Sequence, residues 1–145
     1  MVQFTGRIPG LCLRRWARNL RGDVQPILNR HCVPCHGYRR RDGKVILFDP
    51  WTKDTGNPVC PVTSDEIQKA DLVLISHDHF DHAGSAVAIC KKTGALLGGP
   101  AQTMARITKE GFDAGQVVNF GMGYMPGGGA TLDWVQVISI PAFHA

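Results

Sequence analysis

No apolar run in this sequence approaches the roughly 18–20 residues that a membrane span requires, so no membrane partner is expected. A clean secretory pattern is also missing. Gly10-Leu11-Cys12-Leu13 is far too short for the apolar core of a signal peptide, and arginines follow it at once. The expected location is therefore the cytoplasm. Charged residues make up only 19% of the chain against 43% apolar, which excludes the composition of a disordered protein. Cysteines are few and odd in number: Cys12, Cys32, Cys35, Cys60 and Cys90. An odd set without an export signal argues against a disulfide framework. Cys60 and Cys90 read as small buried hydrophobes. No internal repeat is present, and 145 residues suffice for one domain with a real core.

Acidic residues are scarce at the front of the chain. Arg7, Arg14, Arg15, Arg18, Arg21, Arg30, Arg39, Arg40, Arg41 and Lys44 are opposed there only by Asp23 and Asp42. Such asymmetry can mark a polyanion contact. No nucleic-acid module is visible, so a solvated basic leader is expected instead.

The chain changes character near residue 43. Before it, Gly, Pro and Arg interrupt every pattern, and only short helical turns over 14–20 and 24–29 are expected. This gives a leader over 1–42 and an ordered domain over 43–145. Val45-Ile46-Leu47-Phe48 is a continuous apolar run ended by Asp49-Pro50, the pattern of a buried strand. Thr63 and Glu66 have capping-box spacing and predict a short helix over 64–69. Leu72-Val73-Leu74-Ile75 is a second apolar strand. A helix over 83–92 stopped by Gly94, a strand over 95–97 and a helix over 101–109 opened by Pro100 follow. Strands at 117–118 and 135–140 flank a glycine-rich stretch, 121–129. That stretch lacks the Lys-Ser/Thr ending of a P-loop and reads as a flexible connection. Apolar strands alternating with helices define an α/β layer.

Directly after the second strand stands His77-Asp78-His79-Phe80-Asp81-His82. The strand delivers Ser76 to the C-terminal edge of the sheet, where α/β proteins place ligands. His77 and His79 are two residues apart, so in an extended turn they point the same way. Neutral imidazole and carboxylate are ligands that Zn²⁺ accepts at roughly 2.0–2.2 Å, and Mn²⁺ or Fe²⁺ accept them too. Three histidines and two aspartates crowded at a strand mouth would cost stability without a cation to bind.

The pattern filled by His77, His79, Asp81 and His82 resembles the signature of the metallo-β-lactamase superfamily. Segments 43–50, 70–76 and 138–144 resemble its branch of L-ascorbate-6-phosphate lactonase-like metal-dependent hydrolases, in the expected order. The resemblance implies the N-terminal half of an αββα sandwich, an α/β (α+β) fold. It also implies His77, His79 and His144 at one metal ion, Asp81 and His82 at a second, and Asp49 hydrogen-bonded to a ligand histidine. A plain strand-ending turn residue is the other reading of Asp49. Zn²⁺ leads, with Mn²⁺ or Fe²⁺ as alternatives. The nucleophile would be a metal-activated hydroxide, with Asp81 orienting it, and the small-molecule substrate an ester, lactone, amide or phosphodiester.

Two departures accompany the resemblance. The superfamily fold usually needs well over 200 residues, whereas this chain stops one residue after His144, so an N-terminal fragment with an incomplete dinuclear site is expected. Half a sandwich would leave a sheet face uncovered and invite self-association. In place of the family's opening strand pair stands Cys32-Val33-Pro34-Cys35-His36, the attachment pattern of c-type haem. A haem-binding electron carrier built on Cys32, Cys35 and His36 is thus one alternative function, and a zinc or redox site there another. A non-catalytic metal-binding remnant is a third.

Overall fold

The computed structural model describes residues 2–4, 24–28, 36–121 and 128–139. The described strands form two sheets. The larger contains, in spatial order, β2 (Val24–Leu28), β3 (His36–Arg40), β4 (Val45–Phe48), β5 (Leu72–Leu74), β6 (Leu96–Gly99) and β7 (Val117–Asn119). β2, β3 and β4 pair antiparallel, and β4 through β7 run parallel. The smaller sheet places β9 (Val135–Ser139) between β1 (Val2–Phe4) and β8 (Gly129–Leu132), all antiparallel.

The unbroken apolar runs follow from burial on both faces of the larger sheet. Alternate residues Val45, Leu47, Val73, Ile75 and Leu97 meet helix α2 (Ala86–Thr93) through Ala86, Ile89 and Cys90. They meet helix α3 (Ala101–Lys109) through Met104 and Ile107. The intervening Ile46, Leu72 and Leu74 turn to the smaller sheet, where Val137 and Phe120 complete a second core. Register keeps the two sets apart, since Leu47 stands opposite Val73 and Ile46 opposite Leu72. The layers are thus helix, sheet, sheet. The larger sheet is covered on both faces: Leu72 and Leu74, which face the smaller sheet, are 0% exposed. No helix among the described residues is long and apolar enough to cross a membrane.

Several expectations need correction. The helical turn expected over 24–29 is not found over its described part: β2 occupies residues 24–28 as an edge strand. Pro26 has no N–H for a helix or an inner ladder, and the pairing shifts register between Pro26 and Leu28, where an edge tolerates it. Part of the supposed leader therefore forms strands. The helix expected over 64–69 is a single 3₁₀ turn, Ser64–Glu66. Its capping residues behave as expected, because Glu66 Oε2 accepts the Thr63 N–H at 2.7 Å. The turn ends there because Ile67 is extended and packs into the core. The helix over 83–92 is interrupted: α1 (Phe80–Ala83) is one turn, and α2 begins after Gly84-Ser85. Gly129, placed in a connection by its composition, opens β8; a Cβ there would stand 2.1 Å from the Val137 carbonyl oxygen. The helix expected over 14–20 and most of the glycine-rich stretch lie outside the described residues.

Candidate metal centre

Parallel pairing sets the C-terminal ends of β4 and β5 side by side, with Phe48 opposite Leu74. Asp49 follows immediately and is buried. Its φ of 47° lies in the left-handed region, unusual for a residue with a side chain. Hydrogen bonds hold it there. The Asp49 N–H donates to the Leu74 carbonyl at 2.8 Å. Its Oδ1 accepts the Ser76 N–H at 2.7 Å, and its Oδ2 accepts the Ser76 hydroxyl at 2.8 Å.

From this clamp the histidine segment projects. Ser76 Oγ lies 2.9 Å from His77 Nδ1, and His77 Nε2 lies 3.0 Å from His79 Nδ1. The His77 ring also packs on His82, with centroids 4.0 Å apart. His82 Nδ1 is buried 3.0 Å from Asp49 Oδ2, close enough for ionic attraction. Among the described residues that nitrogen has no hydrogen-bond partner. Asp81 Oδ2 stands 3.7 Å from His82 Nε2. The other aspartate of the segment turns elsewhere: Asp78 lies 3.8 Å from Arg106 on α3.

The donor chemistry fits a cation. Two nitrogens each about 2.0–2.1 Å from a tetrahedral Zn²⁺ stand roughly 3.3 Å apart. His77 Nε2 and His79 Nδ1, at 3.0 Å, already face each other at nearly that spacing. The orphaned, buried His82 Nδ1 is a further sign of a site tuned to charge. Among the described residues, however, no three His, Cys, Asp or Glu side chains converge on one point. The structure thus pairs His77 with His79 and sets Asp81, His82 and Asp49 beside them. His144, Cys32 and Cys35 lie outside the described residues, and of His36 only its backbone place at the start of β3 is described.

Sequence reasoning gave Ser76 no role beyond its position at the sheet edge. A hydroxyl residue directly before the first histidine was the available signal. It also missed the supports behind the loop. Ser85, fully buried at the start of α2, receives the Thr52 N–H at 3.0 Å and shares hydrogen bonds with the hydroxyls of Thr52 and Thr55 at 2.6 and 2.7 Å. This knot ties the loop after Asp49 to the helix after His82. Trp51 and Phe80 meet edge to face at 5.8 Å on the rim, with Phe80 72% exposed.

Fold and site together define a β-sandwich of the metallo-hydrolase type with helices on one face. Residues 44–140 match the β-lactamase superfamily domain, and the chain belongs to the metallo-β-lactamase superfamily. It is 41% identical over 103 residues to a UPF0173 metal-dependent hydrolase of Nitratidesulfovibrio vulgaris (strain DP4), an alignment covering 71% of this chain and 42% of the relative. A UPF0173 metal-dependent hydrolase of Thermococcus kodakarensis is 35% identical over 102 residues, covering 70% and 42%. Among solved structures, Igni18, a metallo hydrolase from Ignicoccus hospitalis, is 33% identical with a TM-score of 0.57, covering 76% of this chain and 43% of that one. The CmlA β-hydroxylase, at 19% identity and a TM-score of 0.56, shares the fold. The chain spans less than half the length of the curated relatives it matches.

Proposed function

We propose that this chain supplies the metal-binding histidine segment of a metal-dependent hydrolase acting on a small-molecule ester, lactone, amide or phosphodiester in the cytoplasm. The observation that carries the reading is the opposition of His77 Nε2 and His79 Nδ1 at 3.0 Å, at the end of a buried strand. The names of the relatives, metal-dependent hydrolases, support it. His77 and His79, with His144, would hold one ion; Asp81 and His82 would contribute to a second. Zn²⁺ is the ion this donor set favours, with Mn²⁺ and Fe²⁺ as alternatives. When bound, such an ion supplies Lewis acidity and activates water at neutral pH.

The protein's own part is positioning. Asp49 and Ser76 fix the start of the segment, and α1 turns His82 back onto His77 with Asp81 beside it. Asp81, partly exposed beside His82, is placed to orient an attacking water. Metal analysis of the purified chain tests the reading. Zinc should copurify with the native chain and be lost from His77→Ala, with circular dichroism confirming that the variant folds. Unchanged metal content in that variant would overturn the assignment. Hydrolysis of generic esters and phosphodiesters by the zinc-loaded chain then separates an enzyme from a non-catalytic metal binder.

A further inference from the structure

We infer that Ser76 is a positioning residue that fixes the proton of His77 on Nδ1 and so presents the Nε2 lone pair toward the metal position. Its effect on metal affinity rests on the reading above; the proton placement stands independently. A carboxylate offers lone pairs only, and a serine hydroxyl has a single proton to donate. Asp49 Oδ2 lies 2.8 Å from Ser76 Oγ, so the hydroxyl proton must point at Asp49. If it pointed at His77, two acceptor oxygens would face each other at that distance with nothing between them. The Asp49 side chain has no freedom to turn away, because its Oδ1 already holds the Ser76 N–H at 2.7 Å and the residue is buried.

Ser76 Oγ can then only accept from His77 Nδ1, 2.9 Å away. His77 carries its proton on Nδ1, and its Nε2 is a lone-pair donor. That lone pair meets His79 Nδ1 at 3.0 Å, so in the absence of a cation the proton between these two nitrogens belongs to His79. A cation would take the place of that proton. The chain Asp49, Ser76, His77 is the arrangement by which an outer hydrogen bond orients a ligand ring and selects its tautomer, here passed through a hydroxyl.

The test compares native chain, Ser76→Ala and Ser76→Thr. In the metal-free chain, long-range proton–nitrogen NMR correlations read which His77 nitrogen carries the proton. The expected result is Nδ1–H in the native chain and in Ser76→Thr, and a shift toward Nε2–H in Ser76→Ala. Zinc affinity by competition with a chromophoric chelator should fall roughly 10–100-fold in Ser76→Ala and recover in Ser76→Thr. A native His77 protonated on Nε2, or a Ser76→Ala variant with native tautomer and native zinc affinity, would overturn the inference. If the native chain binds no zinc, the metal-centre reading fails, while the NMR comparison still decides the role of Ser76.

Discussion

Asp49 and Ser76, just past the ends of the neighbouring parallel strands β4 and β5, share two hydrogen bonds through one carboxylate, at 2.7 and 2.8 Å. The pair closes the end of β4 onto the end of β5 at the root of the histidine segment. Asp49→Ala should therefore destabilise the fold by about 1–3 kcal/mol, because the half-buried N–H and hydroxyl of Ser76 lose their acceptor. It should cost about 1 kcal/mol more for a backbone held at positive φ. Asp49→Asn keeps an acceptor for the Ser76 N–H and tolerates the left-handed conformation, so its cost should be less than half as large. Urea denaturation of both variants checks this; equal losses would show that the clamp geometry is not what matters.

The loop that follows depends on a second carboxylate. Burial acts to raise the Asp54 pKa, but hydrogen bonds from the Ser64 and Thr52 hydroxyls and the Ser64 N–H outweigh it and hold it at about 2. A carboxylate depressed in the folded state stabilises it fully above its unfolded pKa of about 3.9, and that contribution disappears as pH falls through the folded value. Melting temperature should thus drop between pH ~4 and ~2. Asp54→Asn should flatten this part of the profile. An unchanged slope in the variant would remove Asp54 from the account.

Much of this architecture is legible in the residues alone. Val45–Phe48 and Ala101–Lys109 lie where apolar run and helix signals put them, because burial on both faces and a Pro-to-Gly frame act locally. The histidine segment is legible because few other chemistries crowd such residues. β2 and β3 are not, since Pro26 and the arginines of β3 look like breakers until a pairing partner is known. β8 opens on Gly129, whose use is a close backbone approach to β9. Ser76 shows only its hydroxyl and its place before His77; its partner Asp49 stands 27 residues away.

Cys90 offers a check on the helix-side core. Burial pushes its thiol up to about 12, and the side chain is wholly enclosed. The thiolate is the reactive form, so Cys90 should resist iodoacetamide at pH ~8 in the native chain and react only on unfolding. The unfolded thiol ionises near ~8.5 while the folded one does not, so stability should decline as pH rises above that value. Peptide mapping after brief labelling reads the outcome. Rapid modification of Cys90 in native protein would mean that α2 opens easily.

The contact between the two sheets has its own anchor at Trp134. Its ring packs on the second core, while the Arg40 guanidinium and the Lys44 ammonium lie 5.6 and 5.3 Å from its centroid. Arg40 also donates to the Trp134 carbonyl oxygen. Two residues of the basic region thus serve to fasten one sheet to the other. Trp134→Ala should cost about 3 kcal/mol, from lost apolar contact and two cation–π attractions. Trp134→Phe should retain roughly half of that. A double-mutant cycle between Trp134→Ala and Lys44→Ala isolates one attraction and should give a coupling of about 0.5–1 kcal/mol. Coupling indistinguishable from zero, with both single variants folded, would show that Lys44 lies over the ring without stabilising it.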